Sequence, residues 1–287
     1  MSKNIKAVIP AAGFGTRFLP LTKAQPKEML SVVDRPTIQW VVEEALDAGI
    51  TDILIITGRG KRAIENHFDR SIELESALEK AGKHDELAKI RKVSELANIH
   101  YIRQKTQNGL GDAVLCAKQH VGDSPFVVML GDTICQGTPN CTSGLIEIYE
   151  EYNSSVFAVM DVLSSETDRY GIIDGKIIDE NIWHVSQMIE KPEPKAAPSN
   201  LGILGRYLFT PDLFEYQSQV VSGVKGEIQL TDAMSLMAEK TKMLAWRFPG
   251  KRFDIGTLED WFKAHTDLVL DSQWGSDFSK WLNKRKI

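Results

Sequence analysis

Short apolar runs alternate with amphipathic segments along the first half of the chain, and this alternation restricts the fold more than any other feature of the sequence. The first run, at residues 5–9, leads into a loop of small residues, and helical periodicity then begins after Pro36 and stops at Gly49. The same order continues with a strand at 53–56, a helix near 61–68, a strand near 99–103, a helix at 110–117 and a strand at 126–130. Strands and helices in this succession predict an α/β fold with a mostly parallel central sheet covered by helices on both faces.

The second half of the chain has a different pattern. After Val156 the apolar runs become shorter, and Asp174-Gly175 stands between two of them as a hairpin-type turn signal. The predicted elements are short strands at 172–173, 177–178 and 185–189, a proline-rich loop at 190–200, a strand at 201–209 and helices near 211–220 and 231–240. We therefore expect a small antiparallel β addition to the sheet.

Residues 71–98 interrupt the alternation. They are rich in Glu and Lys, and their apolar residues recur at mostly helical spacing. This pattern predicts a solvated helical hairpin, with a lid or a subunit contact as the alternative.

Net charge and the length of the apolar runs exclude two classes of protein. The 34 basic and 39 acidic residues leave a formal charge of −5, which is the wrong sign for binding nucleic acid over the whole surface. The longest apolar stretches have four or five residues, against about 20 for a membrane span. Gly13, Gly15 and Arg17 also interrupt the apolar core that a signal peptide needs. We expect a cytoplasmic protein that binds neither nucleic acid nor a membrane.

Cysteine and histidine spacing argues against two kinds of site. The three cysteines, Cys116, Cys135 and Cys141, form no C-x-x-C pair, so we expect reduced structural thiols. The six histidines show neither H-x-H nor H-E-x-x-H spacing, which gives little support for a histidine-based metal site.

The loop after the first strand has the residues best suited to a phosphate group. It reads Ala11-Ala12-Gly13-Phe14-Gly15-Thr16-Arg17, and Lys23 and Lys27 follow within ten residues. Backbone N–H groups in such a turn are open to a polyphosphate, and the cations can offset its charge. The dinucleotide fingerprint fails at Phe18, and residues 58–62 lack the spacing of a P-loop. An ordinary turn with scattered basic residues is the alternative.

Two aspartates and one Glu-Lys pair complete the candidate residues. Asp132 follows a buried strand, where ligands of open α/β sheets collect, and a carboxylate there suits Mg²⁺. Asp254 is similarly placed between apolar residues and a glycine. For each of the two aspartates, a helix-capping or turn residue is the commoner alternative. Glu190-Lys191 joins an acid suited to sugar hydroxyls to a cation suited to phosphate, or is simply a solvated ion pair.

Taken together, these segments resemble the bacterial UTP-glucose-1-phosphate uridylyltransferases, or UDP-glucose pyrophosphorylases. The resemblance is carried by AVIPAAGFGTRFLPLTKAQPKEMLSVVDRPTIQWVVEEALDAG at residues 7–49, followed by YIRQKTQNGLGDAV, EKP, APSNLGILGRY, GEIQLTDA and GKRFDIG. The motifs occur in order over nearly the whole chain, and the match weakens after about Gly256.

The resemblance implies a single Rossmann-like, glycosyltransferase-A-like nucleotidyltransferase domain over 1–287, with Mg²⁺ as cofactor. Its expected parts are a nucleotide-binding half at 1–135, a sugar-phosphate-binding half at 136–265 and a C-terminal helical tail at 266–287. The implied reaction transfers UMP from UTP to glucose 1-phosphate, giving UDP-glucose and pyrophosphate. The family commonly forms dimers or tetramers, so a homodimer or homotetramer is also expected.

Site residues follow from the resemblance position by position. Ala11, Ala12, Gly13, Gly15, Thr16 and Arg17 match the loop that binds the nucleotide and its phosphates, and Lys27 matches a phosphate contact in the P-K-E stretch. Glu28 and Gln104 match contacts to the uracil and ribose, and Gly109 belongs to the nucleotide-side glycine loop. Gly171, Glu190 and Lys191 match sugar and sugar-phosphate contacts, and Asp132 and Asp254 match the magnesium-binding aspartates. Catalysis is then assigned to Arg17 and Lys27 at the departing pyrophosphate and to Lys191 at the attacking phosphate.

Three positions depart from the family pattern. Asp112 stands where the family usually has histidine in G-L-G-H-A, Thr133 replaces an acidic residue, and Gly202 replaces a larger one. We expect Asp112 to point outward on its helix, and the alternative is that it alters the preference for base or sugar. A thymidylyl- or cytidylyltransferase acting on a related sugar phosphate and a non-catalytic regulatory paralogue are the rival functions.

Overall fold

The computed structural model describes residues 4–220 and 226–285. The strands are β1 (Lys6–Pro10), β2 (Ser31–Val32), β3 (Arg35–Pro36), β4 (Asp52–Thr57), β5 (Asn98–Arg103), β6 (Phe126–Met129), β7 (Thr133–Gln136), β8 (Ser155–Asp161), β9 (Gly171–Asp179), β10 (Ile182–Glu190), β11 (Leu201–Phe209), β12 (Met243–Arg247) and β13 (Lys251–Asp254). The helices are α1 (Thr37–Asp47), α2 (Arg62–Phe68), α3 (Ile72–Lys80), α4 (His84–Ser94), α5 (Leu110–Leu115), α6 (Lys118–Val121), α7 (Cys141–Tyr152), α8 (Leu213–Gln217), α9 (Leu230–Ala238), α10 (Leu258–Leu270) and α11 (Gly275–Asn283). Short 3-10 helices lie at Thr16–Phe18, Leu21–Lys23, Lys27–Met29 and Ser164–Arg169. Every helix and strand predicted in the first half is present, with its ends shifted by a residue or two.

One nine-stranded sheet forms the centre of the molecule, in the order β5-β4-β1-β6-β11-β8-β12-β10-β9. The four strands from β5 to β6 are parallel, and so are β8 and β12. The other neighbouring pairs are antiparallel. The expectation of a mostly parallel sheet with a small antiparallel addition was therefore too strong, because the sheet is mixed. The apolar runs of the second half resemble buried strands of either direction, so the sequence pattern did not distinguish the two.

The predicted turn at Asp174-Gly175 was wrong. Both residues lie inside β9, which pairs with β10 over nine residues each, with register irregularities in the ladder. A Cβ on Gly175 would lie 2.3 Å from the His184 carbonyl oxygen, so the glycine permits a close approach of the two strands. The chain reverses instead near Asn181, which has a positive φ of 59°.

The hydrophobic core has one part on each face of the sheet. The parallel strands carry fully buried side chains such as Val8, Leu54 and Val128, as expected for strands covered on both sides. Helix α1 packs Ile38 and Val41 on one face together with residues of α7, whereas α5, α8 and α9 cover the other face. Helices on both faces of the sheet are thus confirmed.

A third apolar cluster holds the loop after β1 in place. Phe18 in the first 3-10 helix packs with Leu30, Phe253 and Leu268, so that α10 closes against this loop. The Trp261 indole also donates to the Ser31 carbonyl oxygen at 3.1 Å. Helix α10 therefore helps to position the loop although it lies far from it in sequence.

Residues 71–98 form the predicted helical hairpin, from α3 and α4. Glu75 is buried between Arg70 and Arg91, and Ile72 and Leu74 are exposed. None of the helices described here combines the length and the apolar character needed to cross a bilayer.

Candidate functional site

A cavity of about 590 Å³ lies at the carboxyl ends of the parallel strands, and we call it the strand-end cavity. Its walls come from the loops that follow β1, β5 and β6, which is where ligands of open α/β sheets bind. The predicted site residues that line it are Ala12, Gly13, Lys27, Glu28, Gln104, Gly109, Asp132 and Lys191. These predicted residues, separated by up to 179 positions in the chain, are thus brought to one cavity.

The loop at residues 11–17, which we call the glycine loop, contributes Ala12, Gly13 and Phe14 to the lining of this cavity. Ala11 and Ala12 are buried, Ala11 N–H donates to the Ile56 carbonyl oxygen at 2.8 Å, and no atom lies within 4 Å of the position of a Cβ on Gly13. Only a short 3-10 helix follows, so the open N–H groups belong to the loop rather than to an α-helix. Thr16 and Arg17 are exposed, and neither they nor Gly15 line the strand-end cavity.

Lys27 and Asp132 form an ion pair at the edge of the cavity, and the lysine Nζ donates to the carboxylate. Burial lowers the pKa of Lys27, but the negative charges of Asp132 and Glu28 outweigh this and raise the pKa above its usual value. For Asp132 the balance is the reverse: burial raises the pKa of the carboxyl, but the positive charges of Lys27 and Arg252 bring that pKa below its usual value. Both groups are therefore charged at neutral pH.

The two predicted metal aspartates lie close together, at the end of a two-stranded ribbon. Strand β7 pairs with β13 so that Thr133 stands opposite Asp254, and the Ile255 N–H donates to the Asp132 carbonyl oxygen at 2.8 Å. Asp254 lines a second cavity of about 590 Å³, next to Arg252, whose guanidinium lies 3.1 Å from its carboxylate. Burial raises the pKa of Asp254 despite this ion pair, and the negative charge of Asp132 adds to the rise. Two carboxylates that repel each other in this way suit a divalent cation.

Glu28 is held by a lysine that sequence reasoning did not assign. Its side chain is 1% exposed and accepts from Lys61 Nζ at 2.8 Å. Burial raises the pKa of Glu28, although Lys61 and Lys27 act in the opposite direction. Lys61 lies in the segment 58–62, which fails as a P-loop, so the basic character of that segment was the available signal.

Asp112 does not point outward, and this expectation was wrong. Gln104 follows β5, and its side-chain nitrogen donates to Asp112 Oδ2 at 2.6 Å and to the Gly109 carbonyl oxygen at 3.2 Å. Asp112 lies in the first turn of α5, and its carboxylate accepts from a side chain eight residues earlier in the chain instead of facing solvent. Gln107 is another residue that sequence reasoning did not select. Its side-chain nitrogen donates to the Ala12 carbonyl oxygen at 2.7 Å, and it lines the cavity.

Gly109 is required by its conformation and by its surroundings. Its φ is +105°, and a Cβ would lie 2.6 Å from the Ile228 carbonyl oxygen. We expect Gly109→Ala to lower the free energy of unfolding by about 3 kcal/mol, from backbone strain and steric clash together. Gly82→Ala is the matched control, because Gly82 has a φ of +69° and no atom within 4 Å of its Cβ position; it should cost only about 1 kcal/mol. Urea unfolding of both variants measures the two free energies of unfolding. Equal losses of stability would show that the contact of the new Cβ with Ile228 adds no cost.

The predicted sugar residues meet at the ends of β9 and β10. Gly171 pairs with Glu190, and a Cβ on Gly171 would lie 3.2 Å from Glu190 Oε2. The carboxylate accepts from Thr231 Oγ1 at 2.6 Å and pairs with Lys191 Nζ at 2.9 Å. Lys191 has a φ of 48°, and its side chain is 51% exposed beside the strand-end cavity. Thr231 is a further residue that sequence reasoning did not select.

The two other departures from the family pattern lie outside the strand-end cavity. Thr133 is buried, and its hydroxyl has no hydrogen-bond partner among the residues the structure describes. A Cβ on Gly202 would lie 2.7 Å from Val162 Cγ1. A larger residue there requires a shift of β11 or of its neighbour.

A cluster of possible metal ligands lies away from this site, at the amino ends of β4 and β5. His120 Nε2 lies 2.9 Å from Asp52 Oδ1, and His100 Nε2 lies 3.8 Å from the same oxygen. Spacing alone did not indicate this cluster. Lys6 Nζ approaches Asp52 to 3.7 Å and already offsets its charge.

Comparison with known proteins gives matches over most of the chain. Residues 6–270 match the sequence profile of a family described as nucleotidyl transferase. The UTP--glucose-1-phosphate uridylyltransferase of Bacillus subtilis (strain 168) is 54% identical over 256 residues, which are 89% of this chain and 88% of that protein.

Two solved structures are similar in fold and sequence. A UDP-glucose pyrophosphorylase complexed with UDP-glucose has a TM-score of 0.86 and 40% identity, over 93% of this chain and 99% of that one. The UTP-bound UGPase from Acinetobacter baumannii has a TM-score of 0.88 and 38% identity, over 97% of this chain and 98% of that one.

Proposed function

The chain belongs to the nucleotidyl transferase family, and from this premise we propose that it transfers UMP from UTP to α-D-glucose 1-phosphate, giving UDP-glucose and pyrophosphate. One observation carries the proposal most directly: a single cavity is lined by Lys27, Asp132 and Lys191 together. A nucleotide polyphosphate and a sugar phosphate can therefore meet there between cations. The names of the similar proteins, which specify UTP, glucose 1-phosphate and UDP-glucose, supply the identity of the substrates.

The reaction needs no general base in this site. A phosphate monoester has a second pKa near 6, so glucose 1-phosphate is already a dianionic nucleophile at about pH 7. The protein must align this anion with the α-phosphorus of UTP and offset the repulsion between them. In our proposal Lys191 holds the attacking phosphate, Lys27 stabilises the departing pyrophosphate, and the exposed Arg17 binds the outer phosphates.

We assign the nucleotide and the sugar to two different sets of residues. We assign the UTP phosphates to the loop of Ala11, Ala12, Gly13, Gly15 and Thr16, and the base and ribose to Glu28, Gln104 and Gly109. Glu190, fixed by Thr231, accepts from glucose hydroxyls next to Gly171. Residues 1–135 thus act as the nucleotide half, and residues 136–265 supply most of the sugar-phosphate half.

Asp132 and Asp254 are the residues that would hold Mg²⁺. They fit this ion because Asp132 lies at the end of the ribbon, where its carbonyl oxygen accepts from the N–H of Ile255, the residue after Asp254. The charge of Asp132 also raises the pKa of Asp254. The chemistry that Mg²⁺ supplies in such sites is neutralisation of charge on phosphate oxygens.

Location and assembly complete the proposal. We place the protein in the cytoplasm, where nucleoside triphosphates are formed, as a homodimer or homotetramer. Light scattering of the purified protein tests the assembly, and a monomeric mass would refute it.

Lys191→Ala tests the assignment of Lys191 to the phosphate of glucose 1-phosphate. We expect kcat/KM for glucose 1-phosphate to fall by about 10- to 100-fold, because one charge-assisted hydrogen bond is lost, while the affinity for UTP changes less than about twofold. Lys195→Ala is the control, since Lys195 is an exposed lysine of the same loop. Initial rates and UTP calorimetry measure both quantities, and unchanged kinetics in Lys191→Ala would remove this lysine from the site.

The proposed reaction itself is tested by pyrophosphate release with Mg²⁺. UTP, dTTP, CTP and ATP are each combined with the 1-phosphates of glucose, galactose and N-acetylglucosamine. We expect UTP with glucose 1-phosphate to give the highest kcat/KM. A different best pair would favour a thymidylyl- or cytidylyltransferase, and the absence of any reaction would favour a non-catalytic regulatory paralogue.

A further inference from the structure

Asp112, which the sequence resemblance marks as a departure from an expected histidine, contacts a residue that the proposed function assigns to the nucleotide base. We propose that Asp112 fixes the side-chain amide of Gln104 so that its carbonyl oxygen faces the base, and that this selects uracil over cytosine. The inference rests on the proposed function, which places a nucleotide base beside Gln104.

The orientation of the Gln104 amide follows from the chemistry of its neighbours. One end of a glutamine amide only donates and the other only accepts. Nε2 lies 2.6 Å from Asp112 Oδ2 and 3.2 Å from the Gly109 carbonyl oxygen. A carbonyl oxygen cannot donate, and neither can an ionised carboxylate, so the nitrogen must face both. A flipped amide would place its oxygen against two acceptors.

The site gives Gln104 little freedom to relax. Its side chain is 4% exposed, so an unfavourable contact there could not be relieved by water. The bond to Asp112 is charge-assisted, and such bonds are shorter and stronger than those between neutral groups. Asp112 is itself held in the first turn of α5, which begins at Leu110 after Gly109.

The amide oxygen is then the end available to a ligand. Gln104 lines the strand-end cavity, and no hydrogen bond to its Oε1 is formed by the other residues within 4–220 and 226–285. Uracil has an N–H at ring position 3 that donates a hydrogen bond to this oxygen. Cytosine has an acceptor nitrogen at that position, which cannot donate. The contact therefore favours UTP over CTP. Thymine has the same N–H, so the contact does not distinguish UTP from dTTP.

Aspartate performs this task differently from histidine. A neutral imidazole has one donor and one acceptor nitrogen, and the choice between them depends on its tautomer. The carboxylate accepts with both oxygens, and it therefore allows only one amide orientation. The carboxylate of Asp112 therefore fixes the orientation of the Gln104 amide without depending on a tautomer.

Asp112→Asn tests the proposal, because asparagine keeps the shape but can also donate, and so allows Gln104 to flip. We expect the ratio of kcat/KM for UTP to that for CTP, with glucose 1-phosphate, to fall roughly tenfold. The change should arise mainly in KM, with kcat for UTP nearly unchanged. Asp112→Glu keeps an acceptor-only group and should preserve much of the preference. Asp123→Asn, an exposed carboxylate before β6, is the matched control and should leave the ratio unchanged.

A double-variant cycle separates this positioning role from a structural one. In a Gln104→Leu background, Asp112→Asn should leave the UTP/CTP ratio unchanged, because no amide remains to be oriented. If the unaltered protein transfers no nucleotide, the proposed function has failed and not this inference. If it is active and Asp112→Asn keeps the wild-type ratio, or loses UTP and CTP activity equally with a lower melting temperature, the inference is overturned.

Discussion

Asp132→Asn should lower kcat for pyrophosphate release by about 10³-fold, the largest effect that we expect from a single change in the site. The carboxylate is one of the two groups that would hold Mg²⁺, and it also pairs with Lys27. Losing charge stabilisation of several kcal/mol in the transition state corresponds to a fall of this size, at about 1.4 kcal/mol per tenfold. Single-turnover rates with saturating UTP and glucose 1-phosphate measure it.

A binding measurement, which does not depend on turnover, identifies the cause of the fall in kcat. UTP calorimetry with Mg²⁺ and with EDTA should show a metal-dependent gain in affinity for the unaltered protein and little gain for Asp132→Asn. The melting temperature checks the fold, because the variant leaves Lys27 without its nearest carboxylate. If Asp132→Asn is folded and keeps a tenth of the wild-type kcat, Asp132 is not a metal ligand.

Arg206→Ala should lower the free energy of unfolding by about 3–5 kcal/mol, because it leaves a buried carboxylate without its cation. The Arg206 side chain is fully buried and contacts both carboxylate oxygens of Glu44, at 2.8 and 3.1 Å. It also donates to the carbonyl oxygens of Leu130 and Thr133, at 3.3 and 2.7 Å. These carbonyls flank Asp132, so we also expect kcat to fall. Urea unfolding measures the stability.

The control for Arg206 is an exposed ion pair of the same charge type. Lys263 pairs with Glu259 on the surface of α10, and Lys263→Ala should change the free energy of unfolding by less than about 1 kcal/mol. Replacing both Glu44 and Arg206 by Met should recover part of the stability lost in Arg206→Ala. A loss below about 1 kcal/mol in Arg206→Ala would show that water reaches Glu44.

Local sequence signals predicted the elements better than their arrangement. The apolar run before Pro10, the helix that follows Pro36 and the Glu- and Lys-rich hairpin all correspond to observed elements. Such signals depend on neighbouring residues, whose spacing is visible in the sequence. The mixed sheet was not predicted, because strand direction depends on which distant strands pair. The turn signal at Asp174-Gly175 failed for a related reason: the glycine was needed by a partner strand.

For the site, the sequence by itself determined the chemical groups, and the tertiary structure decided what each group faces. Ala12 and Gly13 of the glycine loop, together with Lys27, Asp132 and Lys191, were identified from residue type, position in the pattern and family resemblance, and they line one cavity. The buried ion pairs near the site were not predicted: Lys61 reaches Glu28, and Arg206 reaches Glu44, across 33 and 162 residues. The side chain of Asp112 turned toward Gln104 rather than to solvent. Hydrogen bonds and ion pairs depend on distances of about 3 Å, and only the folded chain sets such distances between residues far apart in sequence.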